Sequence, residues 1–218
     1  VTQTEGAGSL RIRIDAGHGG ADPGAVGNRI REAELNLELA KLVAASMRGV
    51  GVHVDMTRTT DEAITATERT RRLIIPGVAC SVSIHGNYFG DPRPRGHEVY
   101  VSAFDAESRR LGQSISDQLT RWMPHIPPRN PPVRTRLASG GTADYFYVIR
   151  QPVRAGIPAV LVECGFLSNP EDAAVLREFW GRFAIAHAIS RGIAAWAGLD
   201  DICAQLEQEL ARTQGRLG

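Results

Sequence analysis

Lysine is almost absent from this chain. Of 25 cationic side chains only Lys41 is a lysine, and 24 acidic residues leave a formal net charge of +1. That balance excludes bulk nucleic-acid binding, which rests on a large basic excess. The arginine bias could favour two-pronged recognition of carboxylates, although GC-rich codon usage accounts for it more simply. Cysteine is sparse as well. Cys80, Cys164 and Cys203 are odd in number and far apart, which excludes a disulfide framework and a CxxC zinc knuckle. Cys80 and Cys164 lie in apolar, strand-like runs, where a free thiol behaves as a small buried hydrophobe. No apolar run approaches the ~20 residues of a membrane-spanning helix. No signal peptide precedes Val1, so the chain reads as a processed or trimmed product.

What is present fits one α/β domain with a full core: 218 residues, 43% hydrophobic and 22% charged. Residues 1–9 are small and polar and read as a flexible lead-in, 10–199 as the domain, and 200–218 as a charged helical tail. Residues 10–15 alternate and break at glycine, as a strand entering a loop does. From Glu34 to Arg48 the positions Leu35, Leu39, Leu42, Val43 and Met47 recur at helical spacing. Strands are expected at 52–56, 78–85, 96–102, 145–149 and 157–166. Helices are expected at 61–73, around Leu111–Trp122, from Pro170, and over Ile185–Trp196. The stretch 123–141, with five prolines and no apolar period, reads as a long exposed loop. Strands alternating with helices imply a single twisted mixed sheet with helices on both faces.

In such sheets, sites collect beyond the carboxyl ends of strands. Three chemically loaded residues fall there: His18 after the first strand, His85 after the run VACSVSIH, and Glu163 at the end of AVLVE. Two histidines and one carboxylate are a recurring ligand set for catalytic zinc. Glu32 or Glu34, at the start of the first helix, could supply the acid, and spacing leaves both open. Each residue has a structural alternative. A histidine in a glycine turn is commonly structural, His85 could simply close a strand, and acids early in a helix answer its dipole. Glu163 is harder to dismiss, because a carboxylate in so apolar a run is costly without a partner or a task. A phosphate loop is rejected for GHGGADPG, since no lysine follows and an Asp-Pro-Gly turn interrupts it. A Cys164 nucleophile is rejected too, because neighbours on a strand face opposite sides. His53, His97, His125 and His187 receive no role.

Taken together, IDAGHGGADPGA (14–25), EAELNLELA (32–40), SIHGN (83–87) and VECGFLSNPED (163–172) resemble the zinc-dependent N-acetylmuramoyl-L-alanine amidases of the amidase-3 family. TRTTDEAI (57–64), the pair ER (68–69) and RGHEVYV (95–101) fall between those blocks in the family's order. The resemblance runs from about Ile12 to Gly198. It implies one Zn²⁺ ion held by His18, Glu32 and His85, with Glu163 as the catalytic glutamate. Glu32 is selected over Glu34 because it stands four residues before Asn36-Leu37. The implied reaction is hydrolysis of the amide between N-acetylmuramic acid and L-alanine in peptidoglycan, at the cell wall, in the periplasm or outside the cell, or delivered there by a phage. Peptidoglycan is then the only implied partner, with no nucleic acid and no membrane span, and the oligomeric state is left open. The rivals are a zinc peptidase cutting within the stem peptide and a non-catalytic wall-binding homologue. Gly86 departs from the alanine common at its position. Too few residues follow YVSAF to hold the occluding helical insertion of some members, so an open site is expected. Arg129, Arg134 and Arg136 could meet stem carboxylates.

Overall fold

The computed structural model describes residues 10–215; the lead-in expected at 1–9 lies outside them. In chain order the elements are β1 (Arg11–Ala16), β2 (Val26–Gly27), β3 (Ile30–Arg31), α1 (Glu32–Gly49), β4 (His53–Met56) and α2 (Ala66–Leu73). Then come β5 (Cys80–Asn87), β6 (His97–Val101), α3 (Ala106–Trp122), β7 (Pro128–Arg134), α4 (Tyr147–Arg154) and β8 (Ala159–Phe166). Three helices close the chain: α5 (Pro170–Arg177), α6 (Phe179–Trp196) and α7 (Asp200–Gly215).

One six-stranded sheet runs in the order β4-β1-β5-β8-β6-β7. It is mixed, with β6 antiparallel to β8 and the other pairings parallel. Its central strands β1, β5 and β8 are almost continuously buried, as parallel strands covered on both faces must be. The main core lies between one sheet face and α1, α3 and α6, where Leu39, Val43, Met47, Ile115 and Ile189 are completely buried. On the other face a smaller cluster joins Leu73 of α2, Val148 and Ile149 of α4, and Leu161 of β8. α7 packs through Ile202 and Leu206, which belong to the main core.

Three expectations need correction. Residues 145–149 do not form a strand. α4 starts at Tyr147, and Val148, Ile149 and Pro152 turn inward together, a helical spacing that overrides the β-preference of tyrosine, valine and isoleucine. The proline-rich stretch is not all loop, because β7 pairs in parallel with β6. As the last strand of the sheet it needs only one hydrogen-bonding edge, so its prolines are tolerated. α2 begins five residues later than Asp61. Thr65 caps it by accepting the Glu68 N–H, while Asp61 instead accepts the Gly20 N–H at 2.7 Å.

Candidate metal and catalytic site

The parallel register sets the site. His85 on β5 lies opposite Glu163 on β8, and Glu163 lies opposite Glu98 on β6. Directly opposed residues project to the same face, so one face of the sheet's carboxyl end gathers His85, Glu163 and Glu98. β1 ends one residue before the loop that carries His18. His18 itself adopts φ 60°, a left-handed conformation that is uncommon outside glycine and tends to mark functional sites.

Glu32 reaches the same place by a separate device. β2 and β3 form a hairpin whose two turn residues, Asn28 and Arg29, have φ 47° and 65°. That is the backbone of a two-residue type I′ turn, and the Asn28 side chain donates to the Leu167 carbonyl at 2.7 Å. The chain is thereby folded back, and Glu32, the first residue of α1, meets both histidines. Its Oε1 lies 3.1 Å from His18 Nε2 and 3.0 Å from His85 Nδ1. Asn36, one turn further along α1, donates to the same Oε1 at 3.3 Å, and the Ala25 N–H donates to Oε2 at 2.8 Å. Glu34 points elsewhere and pairs with Arg31. Two glycines hold the cradle open. A Cβ on Gly17 would stand 2.2 Å from the His85 ring, and one on Gly24 would stand 2.6 Å from Glu32 Oε2.

The donor set fits a divalent transition metal. His18, Glu32 and His85 each offer one ligand atom, all within 4.8 Å of one another, and two imidazoles with one carboxylate suit zinc. The His18 ring is oriented through its other nitrogen, with Nδ1 2.8 Å from Asp22 Oδ2, the kind of outer partner that aims a metal-binding histidine. Burial pushes the Glu32 carboxyl up, but the hydrogen bonds and charge of His18 and His85 outweigh it and hold the acid well below its usual range. Burial likewise lowers His18, yet Glu32 and Asp22 together raise it to about 9. A cluster that draws in positive charge so strongly is suited to a cation.

Glu163 is the opposite case. Burial pushes its carboxyl up to about 7, with Glu32 and Glu98 adding to the rise and His85 and His18 opposing it. Its Oε2 is shut off from solvent without a hydrogen-bond partner among the described residues. All four side chains line one cleft of about 560 Å³, together with Arg69, Asn87, Phe146 and Tyr147. Cys164, its neighbour on β8, is buried in the core on the far side of the sheet, as strand alternation requires. Among the described residues, only 102–105 connect β6 to α3, so no inserted segment stands there.

Asp22, Glu98 and Asn36 escaped the sequence reading. Glu98 carried the signal that singled out Glu163, an acid within an alternating apolar strand. It is 3% exposed and is held by Asn87 Nδ2 at 2.9 Å, the Tyr100 hydroxyl at 3.1 Å and Arg134 Nε at 3.1 Å. Arg129 approaches it at 3.5 Å, so two of the three arginines held for stem carboxylates face an internal one.

Comparison with known proteins agrees with this geometry. Residues 12–195 match the sequence pattern of the amidase-3 family, N-acetylmuramoyl-L-alanine amidases. The chain is 31% identical over 187 residues to the N-acetylmuramoyl-L-alanine amidase LytC of Bacillus subtilis, covering 85% of this chain and 35% of LytC. It is 34% identical to YqiI of the same bacterium, covering 85% of this chain and 84% of YqiI. It thus spans about a third of LytC but most of YqiI. Among solved structures, the CwlD amidase of Clostridioides difficile, in complex with the GerS lipoprotein, superposes with a TM-score of 0.78 at 26% identity, covering 87% of this chain and 99% of CwlD. The chain belongs to the amidase-3 family of N-acetylmuramoyl-L-alanine amidases.

Proposed function

We propose that this member of the family hydrolyses the amide between N-acetylmuramic acid and L-alanine in peptidoglycan, with His18, Glu32 and His85 holding one Zn²⁺ and Glu163 as the catalytic acid–base. The observation that carries the reading is the pairing of a His-Glu-His cluster, converged on the buried Glu32, with a carboxylate raised to about 7 in the same cleft. A bound Zn²⁺ would supply Lewis acidity, polarising the scissile carbonyl and acidifying water. Glu163, ionised, takes a proton from the attacking water at its unpartnered Oε2 and then delivers it to the leaving alanine nitrogen. A carboxyl that titrates close to neutrality can do both within one turnover. Glu32, fixed by Asn36 and the Ala25 N–H, keeps the two imidazoles converged, and Asp22 holds the His18 ring in orientation.

The cleft is complete in its four chemical positions within this one chain, which supports catalysis without removal of a blocking segment or a partner such as the lipoprotein bound by CwlD. We place the reaction at the cell wall, in the periplasm or outside the cell. Peptidoglycan digested with and without EDTA tests the function directly. The expected products are EDTA-sensitive, newly freed L-alanine amino groups. Other new amino termini would point to a stem peptidase, and no cleavage by the zinc-loaded protein would point to a binding homologue.

A further inference from the structure

A second cavity, of about 720 Å³, lies beside the catalytic cleft and is lined by Tyr100, Arg109, Gln113, Arg134, Thr135 and Arg136, with no acidic residue in its wall. The two spaces share an aromatic step. Tyr100 packs on Phe146 with ring centroids 4.8 Å apart, and Phe146 lines the catalytic cleft. Tyr100 is also the register partner of Leu161, another cleft residue. A chain leaving the catalytic cleft over this step arrives among the three arginines.

Their charge is not cancelled locally. Other arginines are taken up by acids, as Arg69 is by Asp15, Arg182 by Glu38 and Arg191 by Glu207, or by backbone carbonyls, as Arg48, Arg58, Arg150 and Arg177 are. Of the three here, only Arg134 has an acidic partner, Glu98. Among the described residues Arg109 and Arg136 have none. Arg136 is nonetheless held in place, its guanidinium 3.8 Å from the centre of the Tyr145 ring and 5.8 Å from that of Phe146. A guanidinium resting on an aromatic face spends no N–H on it, so its fork stays available to a planar anion. A pre-positioned Arg136 with Arg109 beside it, neither matched to an acid, in a cavity one aromatic step from the cleft, matches a ligand bearing carboxylates.

We propose that this cavity binds the carboxylates of the peptide stem, with Arg136 and Arg109 as the recognising residues, so that the protein prefers stems with free carboxylates to stems whose carboxylates are amidated. The assignment rests on the amidase reading, which puts a peptide on the leaving-amine side of the scissile bond, and it makes substrate choice a property of α3 and the segment that follows β7. Arg134 serves differently, because its charge is already engaged with Glu98.

The test is calorimetric titration of the zinc-loaded protein with the synthetic tripeptide L-Ala-γ-D-Glu-L-Lys and with the same peptide carrying carboxamides. Binding of the acid form at least roughly tenfold tighter is expected, as for loss of charge-assisted hydrogen bonds. In Arg136→Gln and Arg109→Gln, both exposed positions, that ratio should fall towards one, and raised salt should lower it in the wild type. Equal affinities for the two peptides, or a ratio unchanged in both variants, would overturn the proposal. Turnover measured in parallel separates the two readings. Discriminating binding without newly freed L-alanine amino groups on peptidoglycan would remove the amidase reading and leave the cavity's preference for carboxylates standing.

Discussion

Two polar clusters sit towards the carboxyl end of the sheet, one on β1 and the other two strands away on β8, and they are built on opposite plans. The first centres on Asp15, which is wholly buried. It accepts from Arg69 Nη1 at 2.5 Å, the Thr57 hydroxyl at 2.5 Å and the Ser83 hydroxyl at 2.6 Å. Arg69 also donates to the carbonyls of Ala16 and His18, and Arg58 to those of Ala16, Gly17 and Ala33. The bonds to Ala16, Gly17 and His18 tie down the loop that carries His18. The second cluster, around Glu163, leaves a buried carboxylate oxygen unpartnered and a carboxyl raised to about 7. A satisfied buried network stiffens a fold, whereas an unsatisfied group stores free energy that only a ligand or a reacting atom can release. The first cluster is built as a mount, and the second has the form the proposed acid–base role requires.

The sharpest way to break this contrast is to remove one carboxylate from each side. Glu163→Gln should lower turnover on peptidoglycan by roughly 10²–10⁴-fold, the scale of a positioned acid–base group, while keeping its zinc content and melting temperature. Wild-type turnover in a folded, zinc-loaded variant would sink the assignment. Asp15→Ala should do the reverse. Stripping the partner from buried Arg69 costs about 3–5 kcal/mol of stability, visible as a lower midpoint in urea, and what activity survives should follow the folded fraction.

A smaller effect sharpens the comparison through pH. In the metal-free protein the two carboxyls impose opposite slopes on stability. Burial pushes Asp15 up, but the Arg69 charge and the hydroxyls of Ser83 and Thr57 outweigh it and hold the acid below its usual range. Its contribution is therefore present above the ordinary aspartate range and is lost as pH falls towards its depressed folded value. Glu163 is raised instead, so its contribution is complete below about 4.5 and is lost as pH rises to about 7. The urea midpoint of wild type, compared with that of Glu163→Gln from pH 4 to 8, should fall relative to it as pH rises, mainly between those two values. Parallel curves across that window would contradict the buried, unpartnered state of Glu163.

Much of this molecule was legible in its residues. His18, Glu32, His85 and Glu163 were picked out as a set, the first and last two because each closes a strand and Glu32 through the family's spacing before Asn36-Leu37. The central strands were legible because they are buried on both faces and so are written in long apolar runs. The misread segments were those whose local chemistry and surroundings disagree. Tyr147–Ile149 are strand formers held in a helix by Leu73 and Leu161, and Pro128–Arg134 is a strand only because it lies at the sheet's edge.

By itself, then, the sequence determined the alternation of strands and helices, the isolation of its three cysteines, and the residue types able to hold a metal. Those depend on composition and short-range period, which the chain carries locally. Only the tertiary structure decided that Glu98 stands beside Glu163, that Arg129 and Arg134 turn towards it, and that Arg109 and Arg136 are left facing an open cavity. Such facts depend on strand register and on which charges meet across distant segments, and no window along the chain contains both partners.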